Sequence, residues 1–213
     1  MTQPVSWAPA YAHSHDLAAW LHLDNGQWTQ PELVYAVEAA SRAIDKTAGR
    51  QFGKVPTPQT RRFTAEWFKD RWVLDIDDLM TTEGLTVEVD NDQDGTPEAE
   101  ITAYDLTPVN AVARGRPWTT LEVLPRSDMK PNGLRNTVHI TAQWGWTKIP
   151  REIRLACLMQ AARFHERRQN VGGPLNRKRV DDVELGWSSA GTDELDADVA
   201  TIVAPFRRWW AAA

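Results

Sequence analysis

The sequence contains only one cysteine, Cys157, and this scarcity excludes an intramolecular disulfide or a multi-thiolate metal cluster within the chain. It also contains no apolar run approaching the roughly 20 residues that a helix needs to cross a bilayer, so no membrane contact is expected. The first residues, MTQPVSWAPAY, lack the basic and apolar regions of a secretory signal. These absences predict a soluble protein that is made in the cytoplasm.

Familiar catalytic patterns are also missing. There is no glycine-rich phosphate loop and no Gly-x-Ser-x-Gly elbow. His165 and Glu166 begin like the metalloprotease helix motif, but the second histidine of that motif is absent. The sequence therefore predicts a protein that is not an enzyme and that carries no catalytic residues, cofactor or metal.

One acidic segment resembles half of a calcium loop. Residues 90–95 read DNDQDG, which matches the alternating carboxylates and the glycine of such a loop. The twelfth position would be Ile101 instead of glutamate, and the flanking residues are typical of strands. This favours a solvated hairpin turn, with weak cation binding as the remaining alternative.

The spacing of apolar residues predicts helices at both ends of the chain and strands between them. A short helix begins after a cap at Ser14, and a longer one runs from about 31 to 48. Another helix begins at Pro150, and a last one begins near Asp193. The predicted fold class is α+β, a helical bundle with an inserted antiparallel β region.

The chain is accordingly divided into three regions. Residues 1–58 hold the N-terminal helices, and residues 59–147 hold short segments rich in β-branched and aromatic residues. Residues 148–213 hold a helix, a loop and a C-terminal helix that packs with the N-terminal helices. The glycines and polar residues of 170–191 predict that this loop is mobile.

Charge alternates in blocks along the chain. Between Glu66 and Asp105 there are thirteen acids and two bases, whereas Arg151 to Arg179 contains eight bases and two acids. Such blocks are usually solvated faces, but they also suit subunits that meet copies of themselves.

The sequence contains eleven tryptophans, and five of them fall in the predicted β region. Aromatic side chains of this kind can stack on sugars or bases, or they can form the core or a subunit interface. Trp144 and Trp146 share one strand face because side chains alternate along a strand, which favours a core position. Gly145 between them permits a bend, so we interpret Trp144, Gly145, Trp146 and Pro150 as a structural corner between strand and helix.

This corner and several other segments resemble bacteriophage head-tail connector proteins, also called head completion adaptors. The corner and the arginine-rich helix that follows it are the strongest part of the resemblance. The remaining segments occur in the order of that family: residues 49–52 (GRQF), 104–111 (YDLTPVNA) and 205–208 (PFRR). The long β region departs from the smaller, nearly all-helical members.

The resemblance implies a structural adaptor of a tailed bacteriophage, located in the neck of the virion. Such an adaptor forms a homo-oligomeric ring, typically a dodecamer, beneath the portal protein. The ring extends the DNA channel, lets packaged DNA pass without sequence-specific binding, and presents a surface to a tail-completion (stopper) or tail-terminator protein.

The resemblance also implies roles for particular side chains. In related connectors the C-terminal helix docks on the portal, and the alternative for this helix is packing within its own subunit. The predicted docking residues are Leu195, Val199, Ile202, Phe206, Trp209 and Trp210. The predicted intersubunit residues are Arg151, Arg154, Arg163, Arg167 and Arg168, while some acids of 181–198 or of the β region are expected to face the channel.

Two other classes of function remain open at this stage. A Trp-rich carbohydrate-binding or adhesion module of a phage virion would use the central sheet and its acids as the site. A nucleic-acid-binding protein would use the bases between Arg151 and Arg179, although the net charge of −5 is unusual for such a protein.

Overall fold

The computed structural model describes residues 7–23, 31–169, 177–180, 183–186 and 195–208. The chain divides into two compact units. The strand unit comprises Met1–Ala8 and Gly53–Lys148, and the helical unit comprises Pro9–Phe52 and Ile149–Ala213. The predicted α+β class is confirmed, because helices flank an antiparallel β region in chain order.

The helical unit contains four α-helices in its described part. They are α1 (Ser14–Trp20), α2 (Pro31–Ala48), α3 (Arg151–Gln169) and α4 (Ala197–Val203). The residue at the N-cap of α1 is His13, not Ser14 as predicted, and its amide donates to Asp16 Oδ2. None of these helices is long and apolar enough to cross a bilayer.

Helix α2 buries one continuous stripe against its neighbours. Leu33, Val37, Ala40, Ile44 and Ala48 are all nearly inaccessible to solvent, as their three-to-four spacing predicted. The helix ends at Gly49, which has a φ of 64° and therefore adopts a left-handed conformation that favours glycine. The helix packs mainly against α3.

The strand unit contains two four-stranded antiparallel sheets. The first has the order β1-β8-β4-β5 and the second has the order β2-β3-β7-β6. Their strands are β1 (Gln59–Phe63), β2 (Glu66–Phe68), β3 (Arg71–Leu79), β4 (Thr86–Val89), β5 (Ala99–Glu100), β6 (Tyr104–Thr107), β7 (Trp118–Val123) and β8 (Val138–Ala142).

Both sheets contribute to a single hydrophobic core. Leu74 and Leu121 from one sheet and Val87 and Ile140 from the other are fully buried members of this cluster. In a sheet that buries one face, side chains alternate between the core and the outside. Strand β4 follows this alternation, because Val87 and Val89 are buried whereas Thr86 and Glu88 are more accessible.

Two further strands lie between α3 and α4 in the chain. Strand β9 (Arg177–Val180) pairs with β10 (Val183–Gly186) in an antiparallel hairpin. The rest of the loop 170–191, which was predicted to be mobile, lies outside the described residues. After α4, Pro205 lies in a 3-10 turn, Ala204–Phe206, so the helix ends where proline was expected to stop it.

Candidate functional site

The corner after β8 is fixed by hydrogen bonds of the main chain. The amide of Gly145 donates to the carbonyl of Asp78 at 2.6 Å, and the amide of Trp146 donates to the carbonyl of Gly53 at 2.8 Å. Gly145 has a φ of 111°, and a Cβ built there would lie 2.0 Å from the carbonyl oxygen of Gly53. Only glycine fits this position, because both the backbone conformation and the close approach exclude a side chain.

Both tryptophans of the corner are fully buried. The Trp144 indole donates to the carbonyl oxygen of Gln59 at 2.7 Å, and the Trp146 indole donates to Asp78 Oδ2 at the same distance. Because neither ring is accessible, neither can serve as a stacking platform for a sugar or a base. Pro150 directly precedes α3, and its carbonyl accepts the amide of Arg154.

Two arginines of α3 form ion pairs with other helices of the same unit. Arg154 Nη2 lies 2.7 Å from Asp16 Oδ2, and Arg168 Nη2 lies 3.3 Å from Glu32 Oε1. Partial burial is the largest single influence on the pKa of the Asp16 carboxyl and acts to raise it. Hydrogen bonds from the His13 amide and from Arg154, together with electrostatic interactions with Arg154 and His15, outweigh burial and hold this pKa below its usual range. These two predicted intersubunit residues are therefore already paired within the subunit.

Arg163 and Arg167 connect α3 to the start of α4. Arg163 Nη1 donates to Asp198 Oδ1 at 2.6 Å, and Arg167 Nη2 donates to Asp196 Oδ1 at 2.7 Å. The hydrogen bond from Arg163 lowers the pKa of the Asp198 carboxyl to about 2. Arg151 is exposed and forms no ion pair with any residue in the described ranges.

The predicted docking stripe is largely buried within the helical unit. Leu195 is 7% exposed, Val199 is inaccessible, and Phe206 packs edge-on against Phe52 with ring centroids 5.8 Å apart. Ile202 keeps partial exposure. Trp209 and Trp210 lie outside the described residues.

A partly buried polar cluster in the helical unit was not predicted from the sequence. The Tyr11 hydroxyl donates to Asp45 Oδ1 and accepts the amide of Phe52, while Arg42 lies 3.2 Å from Asp45 Oδ2. Burial raises the pKa of Asp45 to about 6, and burial together with Asp45 also raises the pKa of Tyr11. No local sequence pattern identifies this cluster, because Tyr11 and Asp45 are 34 positions apart in the chain.

The most exposed aromatic pair of the strand unit lies on the hairpin of β2 and β3. Trp67 and Phe68 are 58% and 57% exposed, and Trp67 packs edge-on against Trp72 across the strands. A neighbouring cavity of about 290 Å³ has a largely charged lining: Lys69, Asp70, Arg71, Asp105, Glu122, Val123, Leu124 and Pro125. The ion pair of Arg71 with Glu122, at 2.6 Å, occupies part of this lining.

Comparison with known proteins finds no matching family model and no matching curated sequence. Two solved structures are similar over their whole length. A chain of the neck of an empty GTA (gene transfer agent) particle, computed with C6 symmetry, has 21% identity and a TM-score of 0.52, with 100% of this chain and 99% of that chain covered. A chain of the neck of a native GTA particle, computed with C12 symmetry, has 22% identity and a TM-score of 0.45, with the same coverage. The chain therefore shares its fold with a protein from the neck of a phage-like particle, and the resemblance seen in its sequence is confirmed at the level of the fold.

Proposed function

We propose that this protein is a structural head-to-tail adaptor of a tailed bacteriophage or phage-like particle. Its copies form a ring, a dodecamer in the family that it resembles, beneath the portal protein. The observation that carries the proposal is the similarity of fold to a chain from the neck of a GTA particle over 100% of this chain.

Two carboxylates that lie away from solvent accept hydrogen bonds that hold the fold, which supports a structural role for them. Asp78 accepts the Trp146 indole, and Asp45 accepts the Tyr11 hydroxyl. Burial raises the pKa of Cys157 to about 11, and its sulfur lies 3.4 Å from the Ser41 hydroxyl. A thiol with a raised pKa is a poor nucleophile at neutral pH, because the thiolate is the reactive form.

The ion pairs of α3 support passage of DNA without strong binding. A channel wall that neutralised many phosphates would hold the polyanion, because each contact adds affinity. Four of the five predicted intersubunit arginines have acidic partners in their own unit. We therefore propose that intersubunit pairing falls to Arg151 and that the paired arginines do not bind the DNA.

We propose that the portal contact still involves the C-terminal helix, through its exposed side. Because Leu195, Val199 and Phe206 are buried in the helical unit, this contact would use Ile202, the described member of the stripe that stays partly exposed. The opposite side of the ring would bind the tail-completion or tail-terminator protein, as the family resemblance implies.

The decisive experiment is to mix the purified chain with the portal protein of its particle and to measure mass and symmetry. We expect a stable complex whose added mass is a whole number of 24.1 kDa copies. Electron microscopy should show a ring coaxial with the portal. Failure to associate, together with specific binding on a glycan array, would instead support the adhesion module.

Two matched variants test the portal contact. Ile202→Glu places a charge on the partly exposed position of α4, and Thr201→Glu places the same charge on its exposed neighbour. We expect Ile202→Glu to weaken portal attachment by about tenfold or more, whereas Thr201→Glu should change it little, since a buried interface side chain contributes more than one at the rim. Unchanged melting temperatures would show that both variants fold. An affinity of Ile202→Glu equal to that of the original chain would place the portal contact elsewhere on the chain.

A further inference from the structure

The turn between β4 and β5 brings three carboxylates together. Asp90, Asp92 and Glu98 each offer an oxygen, and these oxygens all lie within 4.8 Å of one another. Asp92 and Glu98 are exposed, whereas Asp90 is only 3% exposed. The prediction of a solvated turn is therefore wrong for Asp90, because the pairing of β4 with β8 draws the end of β4 into the strand unit.

Main-chain amides hold these carboxylates in place. The amides of Asn91 and Asp92 donate to the two oxygens of Glu98 at 2.9 and 3.0 Å, and the amide of Gly95 donates to Asp90 Oδ2 at 3.0 Å. A carboxylate oxygen has two acceptor sites, so each oxygen retains the capacity to bind a cation. The turn thus orients the carboxylates before any ion binds.

Two buried polar atoms beside the turn have no hydrogen-bond partner. One is Asp90 Oδ1, and the other is His139 Nε2, on a side chain that is 4% exposed. His139 Nε2 lies 3.7 Å from Asp90 Oδ2, which is too long for a hydrogen bond. A buried carboxylate with an unpaired oxygen is unfavourable unless a hydrogen-bond donor or a cation compensates it. This burial is an observation separate from the acidity of the cluster, and it leaves Asp90 Oδ1 able to bind a cation.

We propose that Asp90, Asp92 and Glu98 bind one divalent cation, and that this cation is Ca²⁺. Calcium takes six to eight oxygen ligands at about 2.3–2.6 Å in flexible geometry, so oxygens within 4.8 Å of one another fit a single coordination shell. Water fills the positions on the exposed side. His139 is a neighbour of Asp90 and not a ligand, because calcium prefers oxygen.

The consequence of binding is a more rigid end of the strand unit. Asn91 Nδ2 already donates to the carbonyl of Lys130, and Asn132 Nδ2 donates back to the carbonyl of Asn91 at 2.8 Å. Gln93 donates to the carbonyl of Arg135. These bonds join the turn to the loop before β8, so an ion in the turn stabilises both segments. The inference is independent of the proposed role in a neck.

The full-length chain, freed of metal with a chelator, should be titrated with CaCl₂ by calorimetry. We expect one site per chain with a Kd on the order of 10⁻⁴ to 10⁻³ M, the range of exposed extracellular calcium modules. The melting temperature should rise as calcium saturates the site, since a ligand that binds only the folded state stabilises it. No binding at calcium concentrations up to about ten times that range would overturn the proposal.

Two alanine variants distinguish the site from general acidity. Asp92→Ala and Asp94→Ala each remove one exposed carboxylate and one hydrogen bond of the same turn. Asp92 accepts the amide of Asp94, and Asp94 accepts the amide of Thr96. Only Asp92 belongs to the three-carboxylate cluster. We expect Asp92→Ala to weaken calcium binding about tenfold or more, and Asp94→Ala to weaken it less than about threefold, because ligand number and charge set the affinity.

The outcome that contradicts the site is equal weakening by both variants, which would indicate diffuse attraction to an acidic surface. Tighter binding of Mg²⁺ than of Ca²⁺ would contradict the choice of ion. The melting curve of Asp92→Ala, recorded in the presence of chelator, will show whether this variant folds. If it does not fold, Glu98→Gln provides a second test. Its calcium affinity should fall, whereas Glu100→Gln, two residues further along and outside the cluster, should bind calcium like the original chain.

Discussion

Replacing Gly145 by alanine should destabilise the strand unit more than any comparable glycine substitution. The new Cβ would lie 2.0 Å from the Gly53 carbonyl oxygen and 2.9 Å from the Lys54 Cα, and a φ of 111° is unfavourable for alanine. The backbone strain costs about 1–2 kcal/mol, and the clash with main-chain atoms adds about 1–3 kcal/mol. Relief of the clash would separate the Trp146 amide from the Gly53 carbonyl, which costs roughly another 1 kcal/mol. Together these contributions predict a loss of about 3–6 kcal/mol.

Gly115→Ala is the matched control for this prediction. Gly115 has a φ of 68°, and a Cβ there would meet nothing within 4 Å, so the substitution measures the backbone strain without the clash. We expect it to cost about 1–2 kcal/mol. Urea unfolding should be measured for both variants. Because the chain divides into two compact units, hydrogen exchange of the β8 amides should also be measured, since it reports on the strand unit by itself. A difference of less than about 1 kcal/mol between the variants would refute the close-packing argument.

Three further changes test other contacts. The pKa of Asp45 in the folded state is about 6, above its ordinary value of 3.8, so the folded chain binds this proton more tightly than the unfolded chain. Loss of this proton therefore lowers the free energy of unfolding as the pH rises from 4 to 6. Asp45→Asn should remove that part of the pH dependence in chemical unfolding, and an unchanged slope would contradict the assigned pKa. Arg163→Gln should lower the free energy of unfolding by roughly 0.5–1 kcal/mol, because Arg163 pairs with Asp198 of α4. Arg151→Gln should change it almost not at all, because Arg151 has no such partner among the described residues. Equal melting temperatures of the two variants would contradict a stabilising role of the ion pair between α3 and α4. Trp146→Phe should cost about 2 kcal/mol or more through loss of the hydrogen bond to buried Asp78, and a variant as stable as the original chain would show that this bond contributes little.

The sequence by itself determined the local structure of this protein. Helix α2 follows from one stripe of apolar residues with a good terminator at Gly49, and the predicted range of 31–48 is the observed one. The break in the strand pattern at Gly145 was also visible, because a glycine between two tryptophans is a local signal of a bend. These features depend on neighbours within a few residues, so periodicity and residue type are sufficient to predict them.

The alternation of side chains favoured a core position for Trp144, but only the tertiary structure showed which other tryptophans are exposed. Trp144 is fully buried and Trp67 is 58% exposed, although both lie in strand-like segments of the sequence. Strand order contributes to this difference: Trp144 lies two residues beyond β8, an inner strand of its sheet, whereas Trp67 lies on β2, an edge strand. Strand order is not encoded in the alternation of side chains along a single strand.

Tertiary structure likewise decided the partners of the charged residues. Arg154 pairs with Asp16 across 138 positions, and Asp90 lies beside His139 because β4 and β8 are neighbours. Composition indicates that opposite charges are present, but only the packed helices and sheets bring particular ones within contact distance. The physical reason is that a contact between distant residues depends on the arrangement of whole elements, which local patterns in the chain do not specify.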